Sequence, residues 1–567
     1  MEIQFLGGAT TVTGSQFLLV TDRARILIDC GMFQGSPNEA VRNRVPLAYD
    51  PSHIDAILLT HAHLDHCGLI PHVVDEGFEG PIIATRGTCE LAELVLLDSG
   101  HLQEEFAKRE ARWERKHPDL VAADDAKERV AYDAAVHLSE HPETPVEPGS
   151  GRGPAEETEG LSGAGHAAPD AATIASASVS EEAAEAVGDA GASPGQVEDP
   201  EAALRSQPPE LQIDLDEPLY TVREAKAAIA QFRPIEYDQE LEVATGIHAT
   251  FLDAGHILGS AIIRIRVAAR DGGPERTIVF SGDLGRPGTP IIRDPTVLTD
   301  ADYVQIETTY GGREHEPGDE AVRILAETVR MVSDAKGVLL VPSFAIGRTQ
   351  EIVWQLDRLI DRGEIPLLPL YLDSPMASKA SEIYRRHADY FDEETGRFLR
   401  EGDTPLDYPD QHETRLLPDS QAIATAPRPY MIIASNGMLT GGRVVGHLRN
   451  LVGDPAATLL FVGYQGEGTL GAHLQAGVKV VRLDGQDREV KCRIRSISGF
   501  SAHADESELL DWLANFARGK EKGSSGFPRR VFLVHGDPEA QIAIEPKVQA
   551  LGFDTHIPHW REKVTLD

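Results

Sequence analysis

The stretch that most constrains this chain is LLTHAHLDHCGL, residues 58–69, in which an apolar run ends in three histidines and an aspartate within six residues. The preceding run DAILLT reads as a strand, so His61, His63, Asp65 and His66 fall in a loop at its carboxyl end, where a backbone can turn several side chains inward. Neutral imidazole and carboxylate are zinc donors, and with four already crowded into one loop, before any ligand from elsewhere, two metals are expected rather than one tetrahedral ion. The plain alternative, a polar helix start with no metal, is disfavoured by this density of donors.

A two-metal centre needs further ligands from distant segments. LDAGHILGSA places His256 after a strand-like run, beside glycines that permit close backbone approach. VFSGDLG ends another strand with Asp283, whose carboxylate can bridge two ions, and SISGFSAHADESEL puts His503 before a helix that Asp505 or Ser501 could cap. Each is weak alone, and together they complete two coordination shells. Other histidines are read with restraint. His101 is expected on an exposed helix face and His447 in packing, and His535, ending the run VFLVH, is taken as a residue supporting the metal ligands from outside.

With 567 residues and 41% hydrophobic composition the chain can bury large cores and form more than one domain. No apolar run approaches the ~20 residues of a membrane helix, and MEIQFLGGAT lacks signal-peptide character, so a cytoplasmic location is expected. Cys30, Cys67, Cys89 and Cys492 form no CxxC pair and point to neither disulfides nor a zinc ribbon. A formal charge of −38 would ordinarily repel a polyanion. Spread along the whole chain, it suits a halophilic protein, because screening over ~3 Å at about molar salt removes the long-range repulsion and leaves nucleic acid open as a substrate. From Glu140 to Ile213 there is no Phe, Tyr or Trp, and Arg152 and Arg205 are the only Lys or Arg, so this acidic insertion is expected to be disordered. Order resumes at a short helix that Thr221 can cap. A mixed sheet and then alternating strands and helices of a parallel α/β unit follow.

Two strand-to-helix loops of that unit offer anion donors. VPSFAIGRTQE presents Ser343, backbone amides near Gly347 and the cation of Arg348, and ASNGMLTGGR presents Ser435, Asn436 and Gly437. Neither has P-loop spacing.

ILIDCG, HAHLDH, DAGHILGSA and SGDLG resemble the motif series of the metallo-β-lactamase superfamily, and QIETTYGGR, VPSFAIGRTQE, DSPMA, ASNGMLTGGR, GYQGEGTLGAHL and GFSAHAD resemble its β-CASP nuclease branch. The resemblance implies a four-layer αββα sandwich, residues 1–310 and 461–567, with a β-CASP domain inserted at 311–460 and a groove between them. It assigns His61, His63 and His256 to one zinc, Asp65, His66 and His503 to the other, Asp283 to the bridge, and Asp29 to support of the metal loop. It matches Glu307, His473 and His503 to the three β-CASP motifs, and a histidine in the third implies RNA rather than DNA.

The implied chemistry is hydrolysis of RNA phosphodiesters, in processing or decay, by a hydroxide generated between two zinc ions, with His473 protonating the leaving oxygen and Glu307 holding its ring. The catalytic core is expected to act alone or as a homodimer, with endonuclease, 5′-exonuclease or both activities. Two rivals are a thioester or lactone hydrolase of the same superfamily and a non-catalytic RNA-binding subunit. The first gives Glu307, Ser343 and His473 no task, and the second typically lacks metal ligands that are all present here.

Overall fold

The computed structural model describes residues 1–140, 217–268, 275–404, 406–463, 465–466 and 468–567. Apart from Glu140, which ends the helix Pro118–Glu140, the expected disordered insertion lies outside the described residues.

Two seven-stranded sheets face each other. The first runs, edge to edge, Lys563–Thr565, Glu2–Gly7, Gln16–Val20, Arg25–Ile28, Ala56–Leu58, Ile82–Thr85 and Phe232–Ile235. Its first four strands pair antiparallel, the rest parallel. The second runs Thr555–His556, Arg530–Val534, Tyr303–Glu307, Arg276–Phe280, Ala261–Val267, Ile247–Asp253 and Glu240–Ala244.

Strand periodicity explains the layering. In Arg25–Ile28, Ile26 and Ile28 enter the core between the sheets, whereas Leu27 enters the core outside them. The inner core joins Ile3, Phe5 and Phe17 of one sheet to Phe251, Phe280 and Phe532 of the other, with the Phe5 and Phe532 rings 5.2 Å apart. Outside the first sheet, Ile70, Leu91, Leu96 and Ala225 bring in the helices Ile70–Asp75, Arg86–Lys116 and Val222–Ile229. Outside the second, Leu509, Leu513, Ile544 and Val548 bring in Glu506–Ala514 and Pro538–Ala550. Helix, sheet, sheet, helix is the expected sandwich. Thr221 caps Val222–Ile229 through a capping box with Glu224.

A third, six-stranded sheet is parallel throughout, in the order Gln411–Glu413, Leu370–Asp373, Tyr430–Ala434, Val338–Pro342, Ala457–Phe461, Arg493–Ser496. Its central strands are buried on both faces, one against Gly318–Asp334 and Arg348–Asp361 and the other against Arg443–Leu451. That is why VLLVP and YMIIA are unbroken apolar runs. The expected boundary at 460 needs correction, because Arg493–Ser496 pairs with Ala457–Phe461 and belongs to this sheet. As a partly exposed edge strand of sequence RIRS, it carries no apolar run to announce it.

Among the described residues, no helix is long and apolar enough to cross a membrane.

Candidate metal centre

The centre is assembled where several strands of both sheets end. After Arg25–Ile28 the chain turns at Asp29 with φ of 58° and sends its carboxylate beneath the histidine segment. Asp29 accepts hydrogen bonds from the Thr60 amide at 2.7 Å and the Thr60 hydroxyl at 2.8 Å, and lies 2.7 Å from His66 Nδ1. His61 and His63 follow the strand Ala56–Leu58, but Asp65 and His66 stand on a helical turn, Leu64–Cys67, rather than in an open loop. That turn packs so tightly on Gly31 that a β-carbon there would lie 1.7 Å from the Asp65 carbonyl oxygen.

The outer nitrogens of three histidines are already engaged, which fixes where their lone pairs point. His66 Nδ1 faces Asp29, and His256 Nδ1 lies 3.1 Å from the Ala502 carbonyl oxygen, an acceptor only. The Thr60 hydroxyl spends its proton on Asp29 and so accepts from His61 Nδ1, 3.1 Å away. His61 and His256 therefore direct an unprotonated Nε2 into the pocket, whereas His66, set between Asp29 and Asp283, is held well above the usual histidine range by the two carboxylates against the opposing effect of burial. His61 Nε2 and His256 Nε2 lie 3.1 and 3.2 Å from His63 Nδ1, which can offer a proton to one of them and not both. Burial, with the neighbouring imidazoles, holds His61 and His256 well below the usual histidine range, and burial brings His63 down to about 4, so these rings are neutral.

Asp283 stands between two such clusters. Its Oδ2 is 3.5 Å from His61 Nε2 and 3.7 Å from His256 Nε2, and its Oδ1 is 3.2 Å from His66 Nε2 and 3.5 Å from His535 Nδ1. Oδ1 is buried, and its polar neighbours there are the ring nitrogens of His66 and His535. Lone pairs and carboxylate oxygens converging in a buried space repel unless a cation lies among them, so the donor set fits a metal cofactor. The cysteines are not part of it: Cys67 Sγ turns to the Ala62 carbonyl oxygen, and Cys30 is approached by Gln16.

The second cluster differs from the expected one. Asp65 and His66 are joined by His535 rather than His503, with His535 Nε2 3.2 Å from His66 Nε2 and 3.6 Å from Asp65 Oδ2. The cause is strand order: Arg530–Val534 pairs in parallel with Tyr303–Glu307, itself beside Arg276–Phe280, so His535 emerges at the same sheet end as Asp283 and Glu307. The available signal was an apolar run ending in histidine, the same pattern as ILLTH.

His503 instead belongs with Glu307. Its Nδ1 lies 3.1 and 3.3 Å from the two Glu307 oxygens and 3.9 Å from Asp283 Oδ2. Glu307 is completely buried and also accepts from the Leu284 amide at 2.7 Å and the Thr309 amide at 3.3 Å. Burial opposes a charge on His503, but the Glu307 carboxylate, with Asp283 and Asp65, outweighs it and pushes the ring up to about 9. The loop carrying His503 is braced from the segment after Glu307: Glu316 accepts from the Ser498 amide at 2.7 Å, and Glu506 from the Gly312 amide at 2.7 Å. Asp505 caps the helix that follows. The pairing of Glu307 with His473 is thus corrected. His473 lies exposed on the short helix Leu470–Gln475, while the Glu307 oxygens are taken up by His503 and two amides.

The expected anion loops have largely satisfied themselves. Arg348 is buried and ion-paired with Glu351, one turn along its helix, which corrects its reading as a phosphate cation. The Ser343 hydroxyl lies 3.0 Å from the Thr349 hydroxyl, whose single proton goes to the Phe344 carbonyl. Asn436 accepts from the amides of Met438 and Thr440, its side-chain amide donates to the Thr440 hydroxyl, and Ser435 shares a hydrogen bond with Ser374. The Gly437 carbonyl accepts from Gln465. Gly347, with φ of 79°, packs against Ile257, and Tyr384 Oη accepts from the Leu258 amide at 3.1 Å. Two contacts from the third sheet's unit thus hold the loop that carries His256. Of the histidines read with restraint, His101 is exposed, and His447 is buried with Nε2 2.5 Å from Asp373.

Comparison with known proteins agrees with this geometry. Residues 9–155 match the metallo-beta-lactamase superfamily, 349–474 the Beta-Casp domain, and 487–558 the Zn-dependent metallo-hydrolase RNA specificity domain, which spans both His503 and His535. The chain is 31% identical over 566 residues to Ribonuclease TTHA0252 of Thermus thermophilus, covering 100% of each. It is 28% identical over 571 residues to transcription termination factor FttA of Methanosarcina mazei, covering 97% of this chain and 69% of that protein, and 26% identical over 585 residues to FttA of Thermococcus kodakarensis, covering 100% and 71%. The chain belongs to the β-CASP ribonuclease family of the metallo-β-lactamase superfamily.

Proposed function

We propose that the protein is a two-zinc ribonuclease in which the Glu307 and His503 pair protonates the leaving oxygen of an RNA phosphodiester. His61, His63 and His256 would hold one ion, Asp65, His66 and His535 the other, with Asp283 shared. When bound, zinc supplies Lewis acidity toward a phosphoryl oxygen and acidifies water. His503 keeps Nδ1 on Glu307, leaving its other ring proton for the departing ribose oxygen as water adds to phosphorus and the P–O bond breaks. Glu307 favours the imidazolium form and fixes the ring's direction.

The observation that carries this reading is the contact of His503 with a fully buried Glu307, 3.9 Å from the shared Asp283. A proton donor beside a two-metal pocket suits an alkoxide leaving group. The name of the Thermus relative and the RNA specificity match over 487–558 support RNA as the substrate.

The test is cleavage of end-labelled RNA and DNA by the zinc-loaded protein at several salt concentrations, alongside His63→Ala and His503→Ala. RNA cleavage by the parent and its loss in both variants are expected. No RNA cleavage under any condition contradicts the reading, and DNA cleavage of equal rate contradicts the preference for RNA.

A further inference from the structure

We infer that Phe344 is a stacking platform for one nucleobase of a single-stranded RNA lying in the groove beside the metal centre, an inference that rests on the ribonuclease reading. Phe344 is 40% exposed, and among the described residues it is the only aromatic side chain of Phe, Tyr or Trp type that is exposed. It directly follows a wholly buried stretch, Val338–Ser343. Full burial of a phenyl ring is worth about 1.5–3 kcal/mol, so a fold that shelters its other aromatics forgoes stabilisation here.

The ring is held ready. The Phe344 carbonyl accepts from the Thr349 amide at 3.2 Å and the Thr349 hydroxyl at 2.7 Å, which ties the loop to the start of Arg348–Asp361. Its edge lies over Gly437, where a β-carbon would approach Cδ2 and Cε2 to 3.1 Å. Glycine at 437 leaves the ring uncrowded. A loop backbone already fixed in place loses little freedom on binding.

Its position is also that of a ligand site. Val338–Pro342 lies inside the parallel sheet, between Tyr430–Ala434 and Ala457–Phe461, and open parallel sheets bind ligands beyond the carboxyl ends of their strands. Three residues on, Gly347 touches Ile257, the neighbour of His256. The loop that begins at Phe344 therefore packs on the loop that carries His256, which puts the platform on the same side of the fold as the metal centre.

The chemistry favours a base over a phosphate. Ser343 and Arg348 are engaged within the loop, so what the loop presents is a flat apolar face. In a chain of net charge −38, an uncharged contact grips RNA without depending on salt. Every base has a face to stack, so the contact tolerates any sequence.

The test compares Phe344→Ala, Phe344→Leu and Phe344→Trp on single-stranded RNA, intact or with one abasic nucleotide scanned around the cut. Loss of a stacked base by alanine substitution predicts about a tenfold or greater rise in KM for the Ala and Leu variants, with kcat within a few-fold and parent-like KM for Trp. One abasic position should weaken the parent by a similar factor and leave Phe344→Ala unaffected. A parent-like KM for Leu would show that the ring needs only apolar packing and would overturn the inference, as would abasic losses equal in parent and Ala variant. If the parent cleaves RNA in either case, the ribonuclease reading stands; a parent that neither binds nor cleaves RNA overturns both.

Discussion

The histidine pocket and the loop 343–348 both set polar side chains at the carboxyl end of a strand, and they behave oppositely. In the pocket, partners outside the ring occupy the outer nitrogens of His61 and His256, so their inner nitrogens confront Asp283 and the single proton of His63 Nδ1, which cannot serve both. In the loop, hydroxyl meets hydroxyl and Arg348 meets Glu351. A site for a cation shows itself by donors left facing one another, and a residue's type alone does not distinguish it from one spent on holding its own loop.

This contrast can be broken at several points. The largest effect is expected from Glu307→Gln, which removes the charge holding His503 as a proton donor and should lower RNA cleavage about 10²–10⁴-fold. His473→Ala, on an exposed helix face, should stay within a few-fold of the parent in the same assay. On the loop side, Arg348→Ala leaves Glu351 buried and unpaired and should cost about 3–5 kcal/mol in urea unfolding. Arg348→Met combined with Glu351→Leu should recover most of that, and a loss confined to RNA affinity would return Arg348 to the role of phosphate ligand. A smaller effect is expected from Tyr384→Phe, which strips the acceptor from the buried Leu258 amide, at about 1–3 kcal/mol, and should speed hydrogen exchange at Leu258.

Much of this was legible in the chain. Apolar runs with period two gave away the sandwich strands, and unbroken ones the parallel sheet. His61, His63, Asp65, His66, His256 and Asp283 follow such runs and come together in the structure. What the sequence left hidden depends on pairing across long separations. Whether His503 or His535 joins Asp65 is decided by Arg530–Val534 lying beside Tyr303–Glu307, a register that no local pattern encodes. The spent state of Arg348 had a local hint, since Glu351 stands three residues along the same helix. The exposure of Phe344 had none, because in VLLVPSFAI it stands among apolar residues broken only by Ser343.

The division of labour between His535 and His503 is the centre of this account, and zinc content measured on dialysed protein tests it most directly. His503→Ala is predicted to keep the parent's zinc and lose RNA cleavage, while His535→Ala loses one ion per chain along with activity. A His503→Ala protein depleted of zinc as fully as His535→Ala, or a His535→Ala protein that retains it all, would contradict the account.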